Sequence, residues 1–151
     1  MMVEAGHEEL AERVSRSLQA LTIAEDSARA RVCETLKVGV RDFAALRLLL
    51  RAHRDGAAMS PKDISQGLAI SSASTTALLD RLEKGGHLHR VPHPADRRRV
   101  FIELSDKTVR SLSATVDEES SRVSRAIADL PATTAEGIIE FLDRLHAPSI
   151  G

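Results

Sequence analysis

The chain has 151 residues, with 21 Lys+Arg against 22 Asp+Glu and a formal charge of -1, a length that fits one domain or one domain with extensions. Hydrophobic residues make up 42% and charged ones 28%, which argues against a disordered chain, and aromatics are only 2% (Phe43, Phe101 and Phe141), too few for a sheet that stacks RNA or single-stranded bases. A single cysteine, Cys33, excludes an intrachain disulfide framework and a multi-cysteine zinc site; no apolar run approaches the roughly 20 residues of a membrane span, and Met1-Met2-Val3-Glu4 carries no basic-then-apolar signal, so a cytoplasmic, non-membrane protein is expected.

The first predicted helix has Leu10, Val14, Leu18 and Leu21 on one face, with Glu8, Glu9, Glu12, Arg13 and Arg16 between them, and Val32 and Leu36 extend it. A second helix runs from about Val40 to His53, with Phe43, Leu46, Leu49 and Leu50 apolar, and stops at Arg54-Asp55-Gly56. Ser60 caps a short third helix that has Pro61 at its first position and Ile64 and Leu68 inside. After the turn Ala69-Ile70, Ser71 caps a fourth helix, Ser72–Lys84, with Leu78, Leu79 and Leu82 inward and Gly85-Gly86 as its stop. Two strands follow by period-two alternation, His87–Val91 and Val100–Leu104. Between them lies Pro92-His93-Pro94-Ala95-Asp96-Arg97-Arg98-Arg99, assigned to a loop because its prolines cannot donate to a ladder. Ser105 caps a long fifth helix with Val109, Leu112, Val116, Val123, Ile127 and Leu130 near a seven-residue period, closed by Pro131. Thr133 and Glu136 have capping-box spacing for a sixth, with Ile138, Phe141, Leu142 and Leu145 apolar.

The informative stretch is helix, turn, helix, strand, basic loop, strand, from Ser60 to Leu104. A short helix and a turn position a second helix for a DNA major groove. That helix opens Ser71-Ser72-Ala73-Ser74-Thr75-Thr76-Ala77. Serine and threonine are mediocre helix formers, but their hydroxyls suit base edges and phosphates. Ser74, Ala77 and Arg81 share one face opposite Leu78–Leu82, and Arg81 is long enough to reach a phosphate. The bland alternative is a solubilising surface. Three consecutive arginines, Arg97, Arg98 and Arg99, at a hairpin tip repel one another; they suit a minor groove or a phosphate backbone. The segment Ser60–Arg110 is also more basic than the rest of the chain.

The runs Leu78-Leu79-Asp80-Arg81-Leu82-Glu83-Lys84-Gly85-Gly86 and Arg90-Val91-Pro92-His93-Pro94-Ala95-Asp96-Arg97-Arg98 resemble the winged helix of the multiple-antibiotic-resistance regulator (MarR) family. The motifs cover about a third of the chain, and the helix order extends the likeness to nearly all of it. The resemblance implies a mainly α protein with a small β-hairpin wing: a winged helix-turn-helix with long N- and C-terminal dimerisation helices. It implies residues 1–38 and 105–151 for dimerisation and 39–104 for DNA binding. The expected partners are a second copy of the chain, double-stranded DNA carrying a pseudo-palindromic operator and a small-molecule effector; the expected activity is transcriptional regulation, as a repressor released by that ligand. By resemblance, Ala73, Ser74, Thr76 and Ala77 meet bases, and Arg97 and Arg98 enter the minor groove. Ser71, Ser72, Arg81, Arg90 and Arg99 complete the candidate DNA-binding set. Many members carry an arginine where this chain has Ala77, which shifts weight from the helix to the wing.

Other features are weaker. Some relatives sense oxidants through a cysteine near the first helix, but a buried, inert Cys33 is the commoner outcome. His87, His89 and His93 cluster without an evident third or fourth metal ligand. Asp80 and Glu83 beside Arg81 and Lys84 read as an ion-paired helix surface. No phosphate-binding glycine loop, nucleophile elbow or His-Glu-x-x-His is present, so no enzyme, catalytic residue, cofactor or metal is expected. The alternative from another class is a winged helix used for protein contacts, which has no need of three wing arginines.

Overall fold

In the computed structural model the elements follow in the predicted order: α1 (Met2–Leu36), α2 (Val40–Arg54), α3 (Pro61–Leu68), α4 (Ser72–Lys84), β1 (Leu88–Pro92), β2 (Val100–Leu104), α5 (Asp106–Ile127) and α6 (Ala132–His146). The structure describes residues 2–94, 96 and 99–146, with side chains from residue 6 onward. Two compact units divide the chain, Met1–Ser105 and Asp106–Gly151.

Four successive helices stop by one backbone device. After α1, α2, α3 and α4 a single residue turns left-handed: Lys37 (φ 55°), Gly56 (φ 68°), Ala69 (φ 52°) and Gly86 (φ 74°). Its amide donates to the carbonyl three residues back, and the next amide donates five residues back. The pairs are Lys37 to Glu34 and Val38 to Cys33, Gly56 to His53 and Ala57 to Ala52, Ala69 to Gln66 and Ile70 to Ser65, and Gly86 to Glu83 and His87 to Leu82. These bonds satisfy carbonyls that a helix end leaves open. Glycine adopts the turn freely, whereas a residue with a Cβ carries a cost of about 1 kcal/mol there. At Ala69 the Ser65 hydroxyl reinforces the turn, donating to the Ile70 carbonyl at 2.7 Å.

Helix starts follow side-chain chemistry. Ser60 Oγ accepts from the Asp63 amide at 3.3 Å, and the Asp63 carboxylate accepts from the Ser60 amide at 2.8 Å and hydroxyl at 2.7 Å. Ser71 Oγ accepts from the Ser74 amide at 3.1 Å. The sixth helix differs from expectation. It begins at Ala132, so Thr133 lies inside it; the Pro131 carbonyl accepts the amides of Thr134 at 2.9 Å and Ala135 at 3.1 Å, and these bonds wind the first turn before Thr133 is reached.

The hairpin pairs Leu88 with Leu104, His89 with Glu103, Arg90 with Ile102, Val91 with Phe101 and Pro92 with Val100. Pro92 is therefore the last residue of β1 rather than part of the loop. The next pair, His93 and Arg99, is hydrogen-bonded, with the His93 amide donating to the Arg99 carbonyl at 2.9 Å. Alternation then makes the Pro92–Val100 pair a non-hydrogen-bonded one, where a missing N–H removes no ladder bond. On the far edge of β2, Ile102 donates to the Met59 carbonyl at 2.9 Å, which ties the hairpin root to the segment before α3.

The core of the first unit gathers Phe43, Leu46, Leu49 and Leu50 from α2, Ile64 from α3, Leu78, Leu79 and Leu82 from α4, and Leu88, Ile102 and Leu104 from the hairpin. Each fully buried aliphatic side chain contributes about 1.5–3 kcal/mol. Helix α3 approaches α2 closely at Gly67, where a Cβ would meet Leu48 Cδ2 at 2.7 Å. In the terminal helices much of the apolar surface stays open: Leu10, Leu21, Val123, Ile139 and Leu145 are all about half exposed or more.

The Ser60 hydroxyl and amide hold the Asp63 carboxyl below its usual range, with smaller help from Arg99 and Lys62. A carboxyl whose folded pKa is lowered stabilises fully above its unfolded value and loses that contribution as pH falls through the folded value. In urea titrations, Ser60→Ala should lose about 1 kcal/mol at pH 7. The gap between wild type and Asp63→Asn should narrow below about pH 4; a constant gap to pH 2 would remove the capping carboxylate from the account.

Candidate nucleic-acid interface

Helix α4 divides its residues cleanly. Thr75, Leu78, Leu79 and Leu82 are buried. Ser72, Ala73, Ser74, Thr76 and Ala77 are exposed, and so are Asp80 and Arg81. The outward face of its first two turns thus consists of methyl and hydroxyl groups alone, small enough for backbone and base edge to approach closely. Several hydroxyls have local partners. Thr75 Oγ1 donates to the Ser71 carbonyl at 2.9 Å and Thr76 Oγ1 to the Ser72 carbonyl at 3.0 Å. Ser71 Oγ donates to Ser74 Oγ at 3.0 Å. Thr75 is buried, and Ser71 is committed first to capping, which leaves Ser72, Ser74 and Thr76 as the exposed hydroxyls of the helix.

The two arginines near the end of the motif are tied to carboxylates. Arg81 reaches back across the first unit to Asp42 of α2: Nη2 donates to Oδ1 at 2.6 Å and Nε to Oδ2 at 3.4 Å. Asp42 is buried, although it stands on the apolar stripe of α2 with Ala45, Leu46 and Leu49. Hydrogen bonding to Asp42, then its charge, pushes the Arg81 pKa further up. Arg81 thus links α4 to α2 in this structure while its side chain stays 60% exposed.

Arg90 is held more tightly. Its Nη2 donates to Asp80 Oδ1 at 2.5 Å, its Nη1 donates to Glu83 Oε2, and its backbone amide donates to Glu83 Oε1 at 3.1 Å. Burial works against its charge, and hydrogen bonds to Asp80 and Glu83 outweigh the burial and raise its pKa. The expected ion pairing of Asp80 and Glu83 within α4 is thus replaced by a clamp on β1. The helix spacing that suggested local pairs is also the spacing that points both acids at one guanidinium.

At the hairpin tip, Arg99 is exposed; its amide donates to the Asp96 carbonyl at 2.9 Å. Arg97 and Arg98, on which the wing expectation rests most heavily, lie outside the described residues, as does Ala95. His93 packs on Phe101 with ring centroids 4.9 Å apart, and its Nδ1 accepts the Asp96 amide at 3.2 Å. His89 faces Glu103 across the ladder at 3.4 Å. Among the described residues no group of three His, Cys, Asp or Glu side chains is arranged to hold a metal. Cys33 is buried, and desolvation raises its pKa while Arg29 pulls weakly the other way.

Asp42 is the residue the sequence could have yielded and did not. A lone acid on an otherwise apolar stripe asks for a cation, and Arg81, reaching over from α4, is the answer. Thr75 carries a similar signal in reverse, as a hydroxyl at a core position of α4.

A family model described as the MarR family matches residues 38–99. The HTH-type transcriptional regulator PecS of Dickeya dadantii (strain 3937) is 36% identical over 104 residues, covering 68% of this chain and 61% of the relative. The chain thus spans about three fifths of that relative's length. Among solved structures, the S. aureus MepR–DNA complex is similar at TM-score 0.64 and 18% identity, covering 85% of this chain and 94% of the other. S. aureus MepR bound to ethidium bromide is similar at TM-score 0.70 and 16% identity, covering 88% and 94%. Those identities bear on the fold: a winged helix-turn-helix.

If the Arg81–Asp42 pair acts as one brace, Arg81→Ala and Asp42→Asn should lower the melting temperature by similar amounts, and the double variant should fall no further than the worse single. Differential scanning calorimetry decides it. Additive losses would mean that the two side chains serve separate partners.

Proposed function

Residues 38–99 belong to the MarR family, and from that premise we propose that the chain is a dimeric, sequence-specific double-stranded-DNA-binding transcriptional regulator, a repressor released by a small-molecule ligand. The observation that carries it is the outward face of α4. Ser72, Ala73, Ser74, Thr76 and Ala77 are exposed and small, while the longer side chains from Leu78 to Glu83 are buried or tied to other elements. A helix stripped in this way fits a major groove. The relatives' names point to the same class: PecS is named a transcriptional regulator, and MepR has been solved with DNA and with ethidium. Neither points to an enzyme.

In this proposal residues 39–104 read DNA, with Ala73, Ser74, Thr76 and Ala77 toward bases. Ser71 and Ser72 sit at the positive end of the helix, where phosphates are favoured. The wing arginines Arg97, Arg98 and Arg99 supply charge to the backbone or minor groove. Residues 1–38 and 105–151 bury their exposed apolar stripes against a second copy, so that two α4 helices meet two half-sites about one turn apart. An ethidium-like cationic or aromatic effector is the class suggested by the MepR neighbour. No helix among the described residues is long and apolar enough to cross a membrane.

Binding-site selection on duplex DNA, followed by gel retardation, tests the reading. We expect a pseudo-palindromic site and a log–log salt slope of several units, since each phosphate neutralised contributes about 0.9. Replacement of Arg99 by Ala should shrink that slope by about one unit with little change in stability. A purified chain that retards no duplex at low salt leaves a protein-contact winged helix in its place.

The oligomeric state is checked separately. Light scattering should give a dimer at micromolar concentration. Val123→Asp, placed on an exposed apolar stripe of α5, should shift it toward monomer by putting an unpaired charge into the buried face. A wild-type monomer would sink the dimerisation half of the proposal without touching the DNA half.

A further inference from the structure

Resting on the DNA-binding reading, we propose that Glu83, assisted by Asp80, is a positioning residue: through Arg90 it sets the wing relative to the recognition helix, so that removing this acid weakens DNA binding. The argument begins with the ladder. Arg90 lies opposite Ile102, and the hydrogen-bonded pair at His93 and Arg99 fixes the alternation, so that the amides of Arg90 and Ile102 both point away from the partner strand. Each finds an external acceptor. Ile102 donates to the Met59 carbonyl, and Arg90 donates to Glu83 Oε1 at 3.1 Å. The root of the wing is thereby pinned on both edges, on one side by the segment before α3 and on the other by the last turn of α4.

Glu83 then takes a second bond with its other oxygen, from Arg90 Nη1, while Asp80 Oδ1 takes Nη2 at 2.5 Å. The guanidinium fork spans two carboxylates one helical turn apart, and its side chain is 29% exposed. A lysine has one point of charge and cannot make this arrangement. The choice of acids is otherwise unfavourable. Near a helix C-terminus carboxylates oppose the macrodipole, and beside a DNA-binding face they repel phosphate. A surface shaped only for charge complementarity carries neither acid. Both make sense where an arginine of the wing must be held in one place.

The lever is short and stiff. From Arg90 to His93 the strand climbs about 10 Å at about 3.3 Å per residue, and the arginine-bearing tip lies beyond. A rotation of about 20° at Arg90 therefore displaces a point about 10 Å along the wing by about 3.5 Å, the outer reach of a hydrogen bond.

Glu83→Gln keeps the size and an oxygen for the Arg90 amide but removes the charge. Coulomb's law alone says that losing a negative charge near DNA tightens binding. Positioning says the opposite. Affinity for the selected duplex should fall about tenfold, and the salt slope should shrink by about one unit or more although no cation has been removed, because wing phosphate contacts are lost. Arg90→Lys should do the same, and the double variant should be no worse than either single. Backbone amide exchange at Arg90 and His93 should accelerate in Glu83→Gln, a readout that needs no DNA. Should Glu83→Gln melt below the assay temperature, Asp80→Asn, at a more exposed carboxylate, carries the same signs at smaller size. Equal or tighter binding with an unchanged slope overturns the proposal, as does unchanged amide exchange. A wild type that binds no duplex sinks the DNA-binding reading instead, and the exchange data still decide whether Glu83 holds the wing.

Discussion

Between Thr75 and Glu83, every side chain of α4 longer than a methyl group, apart from Thr76, has a fixed destination. Leu78, Leu79 and Leu82 go to the core, Thr75 is buried on its own helix, Arg81 goes to Asp42, and Asp80 and Glu83 go to Arg90. Surface ion pairs on their own contribute little to stability. Here their value is geometric. Two forks at the C-terminal half of the helix fix its rotation about its own axis, and rotation decides which residues face outward. The small residues Ser72, Ala73, Ser74, Thr76 and Ala77 form an outward face because the heavier half of the helix is anchored elsewhere.

The same economy governs the approach of α3 to α4. The turn between them passes through a left-handed alanine, Ala69, which a glycine would occupy with less strain. Two neighbours hold it. Ser65 bonds the Ile70 carbonyl, and Gly67 lets α3 lie close on Leu48 of α2. With α3 seated against α2 and α4 tied to α2 through Arg81, α2 shares with the turn and the direct α3–α4 packing in setting the angle of the helix-turn-helix.

What the sequence made legible follows from the range of the forces involved. Helix order, caps at Ser60 and Ser71, the glycine stops and the turn at Ala69-Ile70 depend on neighbours within five residues, and local pattern captures them. Thr133 misled because a capping box can be written by composition while the preceding Pro131 carbonyl supplies the bonds. Pro92 reads as a loop residue in sequence because proline lacks an amide donor, whereas an antiparallel ladder uses only alternate amides and admits it opposite Val100. The carboxylate partners of Arg90 lie seven and ten residues back across a turn, where spacing has no predictive grip. Asp42 and Arg81 are 39 residues apart, yet the pair was partly readable: an acid on the apolar stripe of a helix is an anomaly that sequence alone displays. For the wing arginines Arg97 and Arg98, the sequence remains the whole of the case.

The braces also constrain how a signal could pass through the first unit. A sensing thiolate at Cys33 is disfavoured on physical grounds, since burial raises its pKa and the charge of Arg29 only partly offsets that. Helix α2 packs against α1, α3 and β2, and it also carries Asp42. A displacement of α2 that stretches the 2.6 Å contact to Arg81 is taken up by the Arg81 side chain, which is 60% exposed, or by a rotation of α4. Rotation of α4 carries Glu83 with it, and Glu83 carries Arg90 and the root of the wing. Recognition helix and wing are thus coupled to α2 through three carboxylates and two arginines.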